Sequence, residues 1–182
     1  MDHSKESLVL RLFDLGVLQF GSFKLKSGLE SSFYLDFRRI ISYPDLVTDI
    51  SQRLWNLISK ENFDHICGVP YAALSLAASM SVLGNKPLII KRKEVKTHGT
   101  KKSIEGVFHA GQSCLLVEDV ISSGISLKEA IESLEQEGLK IKHLVAICDR
   151  MQGGVKSLQR HGYEVHCLLS MQEILDILMK HN

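Results

Sequence analysis

Apolar residues along this chain follow two rhythms, one of period two and one of helical period, which alternate at regular intervals. Over residues 4–18, Leu8, Leu12 and Phe13 recur at helical spacing, with Gly16 near the end. Residues 20–29 alternate and then break at a Ser-Gly pair, which predicts a short strand and a turn, and residues 32–37 read as a second short strand. Pro44 and Asp45 open a helix whose apolar face is Leu46, Val47, Ile50, Leu54, Leu57 and Ile58. From there the rhythm becomes regular. A strand at 65–69 precedes a helix of small residues at 73–83, and a strand at 88–90 precedes a short return strand at 105–108. A strand at 114–117 leads to a helix closing near Gly138, and a strand at 143–148 leads to a further helix. The strand 164–169 and a helix opened by a Ser170-Met-Gln-Glu173 capping box complete the series.

Strands alternating with helices predict an α/β fold, a mostly parallel central sheet with helices on both faces and right-handed crossovers. A length of 182 residues suits a single domain over 1–182, with residues 1 to about 43 forming a small N-terminal hood. Ligands of such sheets sit beyond the carboxyl ends of the strands, where strand order reverses. Pro70-Tyr71, Arg92-Lys93, residues 118–126 and Asp149-Arg150 all fall at such ends.

Composition narrows the class. With 45% apolar and 24% charged residues and a net charge of +1, the chain is not one that coats nucleic acid over its whole surface. Its positive charge is local: residues 91–102 hold six basic side chains against Glu94 alone, leaving the remainder mildly acidic. That pattern suits a small polyanion, and without interleaved aromatics it does not suit a nucleic-acid strand. The four cysteines (Cys67, Cys114, Cys148, Cys167) stand singly beside apolar runs, which points to buried reduced thiols and away from a zinc site. No signal-peptide pattern and no run of membrane length occurs, so the expectation is a soluble cytoplasmic protein with no membrane partner.

The chemistry concentrates in residues 115–127, Leu-Leu-Val-Glu-Asp-Val-Ile-Ser-Ser-Gly-Ile-Ser-Leu. A buried strand, a small polar turn and a helix start follow one another. Unpaired amides and a positive dipole at a helix start hold an anion such as phosphate. The preceding pair, Glu118 and Asp119, cannot bind phosphate and is suited to sugar hydroxyls or a metal. A ribose 5-phosphate site has both needs. The competing reading is that Ser126-Leu-Lys-Glu129 is only a capping box and the acids an exposed strand end. P-loop, dinucleotide, serine-hydrolase and His-Glu-x-x-His signatures are absent from the sequence.

This stretch resembles the phosphoribosyl pyrophosphate signature of type I phosphoribosyltransferases. Leu25-Lys-Ser-Gly28, Gly68-Val-Pro-Tyr71, residues 92–99 and Asp149-Arg-Met-Gln-Gly-Gly154 are similar to the successive motifs of the orotate phosphoribosyltransferase family, over nearly the whole chain. The last has the form of the animal domain fused to orotidylate decarboxylase. Since nothing follows Asn182, a separate decarboxylase is expected. The resemblance implies transfer of phosphoribosyl from phosphoribosyl pyrophosphate to orotate in pyrimidine biosynthesis, giving orotidine 5′-monophosphate and pyrophosphate. It also implies Mg2+ held mainly through the donor, with no dedicated protein metal site, and a homodimer with shared active sites.

By the same resemblance, Lys96, His98 and Asp119 are the catalytic residues. Lys26, Tyr71, Arg92, Lys93, Lys96, His98, Glu118, Asp119, Val120, Ile121, Ser122, Ser123, Gly124, Ile125 and Ser126 would bind the donor. Lys26, Tyr34, Leu35, Ser122 and Arg150 would bind orotate, the guanidinium of Arg150 pairing with its carboxylate. Ala72 stands where many bacterial relatives have Lys, which leaves the pyrophosphate more dependent on the basic segment. Two alternatives remain open: a sister transferase acting on a purine, and a regulator that binds the donor without catalysis.

Overall fold

The structure is a computed structural model that describes residues 4–24, 30–92 and 103–181. It begins with helix α1 (Lys5–Asp14), capped by Ser4, whose hydroxyl accepts from Ser7 N at 3.0 Å. An antiparallel pair follows, β1 (Leu18–Lys24) and β2 (Glu30–Leu35). The strand expected to reach Phe37 ends at Leu35 and gives way to a 3-10 helix, Phe37–Ser42. Phe37 and Ile40, three apart, are its buried residues, and three residues is the repeat that puts side chains of a 3-10 helix on one line.

Helix α2 (Pro44–Ile58) leads into the repeating part: β3 (His65–Gly68), α3 (Ala72–Gly84), β4 (Leu88–Lys91), β5 (Ile104–Glu105) and β6 (Ser113–Ile121). Then come α4 (Ile125–Gln136), β7 (Lys140–Asp149), α5 (Gly154–Arg160), β8 (Glu164–Ser170) and α6 (Met171–His181). The expected capping box is present at the last helix, where Ser170 N donates to Glu173 Oε2 at 2.7 Å and Glu173 N to Ser170 Oγ at 3.2 Å. Several strands depart from their expected bounds, β7 among them, which starts at Lys140. β5 is only two residues long, and β6 runs four residues beyond Val117, so the acidic pair lies within the strand.

The six-stranded sheet has the order β5-β4-β3-β6-β7-β8, parallel except for β5 at its edge. α1, α2, α3 and α6 cover one face, where Leu8, Leu12, Ile50, Leu54, Leu76, Leu115, Val117 and Ile147 share a core. α4 and α5 cover the other, with Leu116, Leu127, Ile131, Leu134, Leu144 and Leu158 packed together. α1 therefore belongs to the main core, and of the first 43 residues the β1–β2 ribbon is the part that stands apart from the sheet.

Strand order reverses between β3 and β6, which places a crevice at their carboxyl ends. Register shows how it opens. β3 pairs with β6 only as far as Gly68 opposite Val117, whereas β7 follows β6 to Asp149 opposite Ile121. From Glu118 onward β6 is thus covered on one side only.

Candidate active site at the carboxyl end of the sheet

The end of β6 and the turn into α4 enclose a cavity of about 80 Å3, lined by Glu118, Val120, Ile121, Ser122, Ser123, Gly124, Ile125, Ser126 and Leu127. Gly124 is the N-cap of α4, with φ +79° in the left-handed region, and no side chain among the described residues caps the helix. The Ser126–Glu129 capping box is therefore not formed. An absent cap costs a helix about 1 kcal/mol. Burying Leu127, Ile131 and Leu134 stabilises by roughly 1.5–3 kcal/mol each, so α4 forms regardless and its first amides stay available to a ligand.

Glu118 is 6% exposed, and burial, reinforced by the neighbouring charge of Asp119, holds its carboxyl well above the usual carboxylate range. Its Oε1 accepts from Asp119 N at 3.0 Å, and Asp119 Oδ1 accepts from Val120 N at 2.8 Å. The two acids thus differ. Asp119 is the more exposed, and Glu118 leans to the neutral form. Together they offer at most a partial shell to a divalent ion, whose other ligands would be phosphate oxygens and water.

The neighbouring turn supports the first. Arg150 N donates to Ile121 O at 2.9 Å, and Gly154 N donates to Ser122 O at 2.9 Å. A Cβ on Gly154 would stand 2.4 Å from Ser122 O and 2.8 Å from Gly124 N, so only glycine permits this approach. The Arg150 side chain turns toward the ribbon. Its Nη2 donates to Ser31 Oγ at 2.9 Å and to Phe33 O at 3.1 Å, and its guanidinium lies 4.7 Å from the Phe33 ring centre. Arg150 is 9% exposed, burial lowers its pKa from the ordinary value, and its buried Nε has no partner among the described residues. An unsatisfied guanidinium edge is suited to a planar anion.

Tyr34 stacks on Phe23, with ring centres 5.5 Å apart, and its hydroxyl accepts from Arg38 Nη2 at 3.1 Å. Leu35 packs against the main core. Tyr71 sits at the start of α3, 63% exposed, after a cis Pro70–Tyr71 peptide. Arg92 follows β4, and its Nη1 donates to Glu105 Oε1 at 2.6 Å. Lys26, Lys93, Lys96 and His98 lie outside the described residues.

Two contributors escaped sequence reasoning. Ser31 holds Arg150 from 119 residues away. Arg38 of the 3-10 helix is bound to Asp36, which raises its pKa, and the charge of Asp119 adds to that shift. An Asp36-x-Arg38 pair beside the hood strand was the available signal. The thiols offer no nucleophile, since burial pushes Cys67 up to about 11 and Cys167 to about 12.

Residues 40–174, which hold the reversed strand order, the uncapped glycine turn and the acidic pair ahead of it, match the family model of the phosphoribosyl transferase domain. The orotate phosphoribosyltransferase of Caenorhabditis elegans is 40% identical over 94% of this chain and 76% of its own length. Bovine (Bos taurus) uridine 5′-monophosphate synthase is 44% identical over 94% of this chain, which spans only 36% of that longer protein. The crystal structure of orotate phosphoribosyltransferase from Aeropyrum pernix superposes with a TM-score of 0.85 at 28% identity, covering 95% of this chain and 98% of that one. The chain belongs to the orotate phosphoribosyltransferase family.

Proposed function

We propose that the chain transfers the 5-phosphoribosyl group of phosphoribosyl pyrophosphate to orotate, releasing pyrophosphate and forming orotidine 5′-monophosphate. The observation that supports this reading is the bond from Arg150 N to Ile121 O at 2.9 Å, which ties the turn that bears the arginine to the turn that opens α4. A purine has no carboxylate to meet that guanidinium, and a regulator that only holds the donor has no need of the cations Arg92, Lys93, Lys96 and His98.

In this reading the amides and hydroxyls of residues 122–126 hold the 5-phosphate. Glu118 and Asp119 meet the ribose 2- and 3-hydroxyls. As the C1–O bond to pyrophosphate breaks, the sugar becomes oxocarbenium-like, and the Asp119 carboxylate favours that cation. The ring nitrogen of orotate then bonds to C1 and gives its proton to the departing pyrophosphate, while Arg150, Lys26, Tyr34, Leu35 and Ser122 fix the base. Tyr71, Arg92, Lys93, Lys96 and His98 surround the leaving pyrophosphate, for which the Arg92–Glu105 ion pair must exchange partners. Mg2+, held mainly through the donor's own oxygens, supplies charge neutralisation of pyrophosphate. The β1–β2 ribbon contributes the hood over the base.

The working unit is a homodimer in which residues 93–102 serve the partner's site, acting in the cytoplasm on water-borne anions without nucleic acid or membrane. Among the described residues, no helix is long and apolar enough to cross a membrane. Incubation with orotate, phosphoribosyl pyrophosphate and Mg2+ should consume orotate absorbance, and unchanged absorbance would refute the assignment. Mixed Lys96→Ala and Asp119→Asn chains should recover activity that neither has alone. Absence of recovery in demonstrated heterodimers would refute loop sharing.

A further inference from the structure

A second cluster of ionisable side chains lies at the other end of the sheet. His143 of β7 is in register with Glu164 of β8, and Val145 with His166. Glu164 and His166, two apart on an edge strand, project to one face. Glu61, just beyond α2, meets them there. One ligating atom from each of Glu61, His143, Glu164 and His166 lies within 4.8 Å of all the others. His143 is six residues before Asp149 on β7, so the cluster is about 20 Å along the strand from the phosphoribosyl site.

His143 is 4% exposed. Its Nδ1 is 3.3 Å from Glu164 Oε2 and its Nε2 is 3.7 Å from Glu61 Oε2. Lys142 Nζ takes the other Glu164 oxygen, Oε1, at 2.9 Å, which leaves Oε2 for the cluster. Contact of the His143 ring with two carboxylates accounts for those two distances. It does not account for His166, whose buried Nε2 has no hydrogen-bond partner among the described residues, nor for His143 Nδ1, which makes no bond of acceptable geometry. Buried orphan nitrogens are uncommon and call for an explanation.

A metal ion explains all four side chains. Imidazole nitrogens and carboxylate oxygens bind Zn2+ at about 2.0–2.2 Å, and a tetrahedral arrangement then spaces donor atoms by roughly 3.3–3.5 Å. We propose that Glu61, His143, Glu164 and His166 form a binding site for one divalent transition-metal ion of the Zn2+ class. With all four positions filled by protein, the ion is structural, clipping the end of α2 to the edge strand β8 and protecting that edge.

The test uses the chelator-treated full chain with Co2+ as a visible probe. A tetrahedral Co2+ band should saturate at one ion per chain, Zn2+ should displace it, and Zn2+ should raise the melting temperature. His166→Ala should weaken Co2+ binding by more than about 100-fold, since even partners outside the ligand shell are worth about 10–100-fold. Its Mg2+-dependent turnover should match the parent. Glu61→Gln, at a half-buried surface position, should also weaken binding and serves if His166→Ala fails to fold. No Co2+ band, or a band undiminished in both variants, would overturn the site.

Discussion

Two strand-to-helix turns stand side by side at the carboxyl end of the sheet with nearly the same backbone. Gly124 opens α4 at φ +79° and ψ +6°, and Gly153 opens α5 at φ +88° and ψ −6°. Neither helix has a side-chain cap among the described residues. Their surroundings differ. The first turn lines a cavity with three serines behind an acidic pair. The second follows Asp149-Arg150 and lodges its Gly154 against Ser122, with Asp149 Oδ1 accepting from Met151 N at 2.8 Å. A glycine at a helix start is therefore not enough to mark a ligand site. In the proposed reading one turn receives the donor, and the other braces it and presents an arginine.

The largest test of this division is Asp119→Asn. Losing a charge aimed at the developing cation should lower kcat by about 100- to 1000-fold, and the melting temperature should hold because Asp119 is only half-buried. A comparable loss of stability would move Asp119 from chemistry to structure. Arg150→Lys comes next. It keeps a cation but not the planar fork, so the KM for orotate should rise about 10- to 100-fold while the KM for phosphoribosyl pyrophosphate is unchanged. Equal rises in both would contradict the separation of the two turns.

Gly154→Ala attacks the brace. The collision with Ser122 O should cost about 1–3 kcal/mol in urea unfolding and raise the donor KM, because the receiving turn must shift. Glu118→Gln probes the buried acid. Its carboxyl titrates above the ordinary value of 4.5 in the native protein, so the native state binds an extra proton. That stability is fully present below about pH 4.5 and is lost as pH rises, at up to about 1.4 kcal/mol per pH unit. Wild type and Glu118→Gln should thus unfold alike near pH 4, with the variant gaining as pH rises above the ordinary value of 4.5. Parallel curves would refute the shift. Gly153→Ala is the mildest change. A Cβ there meets nothing within 4 Å among the described residues, so only the left-handed backbone is penalised, by about 1 kcal/mol, and the donor KM should stay put.

Much of the architecture was legible because each strand and helix announces itself by local period. What was not legible depended on neighbours. β6 outlasts its expected end because β7 keeps pairing with it after β3 turns away at Val69, a fact of register that no window of β6 contains. The Gly153-Gly154 pair was visible only as part of a family motif, and its two glycines have opposite reasons, open space for one and a 2.4 Å approach for the other. Arg150 was singled out for its chemistry, yet its hold on Ser31 and Phe33 joins residues more than a hundred positions apart. The cluster at His143 draws on three separate segments, of which only Glu164-x-His166 is local.

In the proposed reading the receiving turn selects the donor and the bracing turn selects the acceptor. That division is tested most directly by offering orotate, adenine and hypoxanthine together with phosphoribosyl pyrophosphate and Mg2+, and identifying the nucleotides by mass. Orotidine 5′-monophosphate alone is the predicted product, and a purine nucleotide in its place would contradict the account.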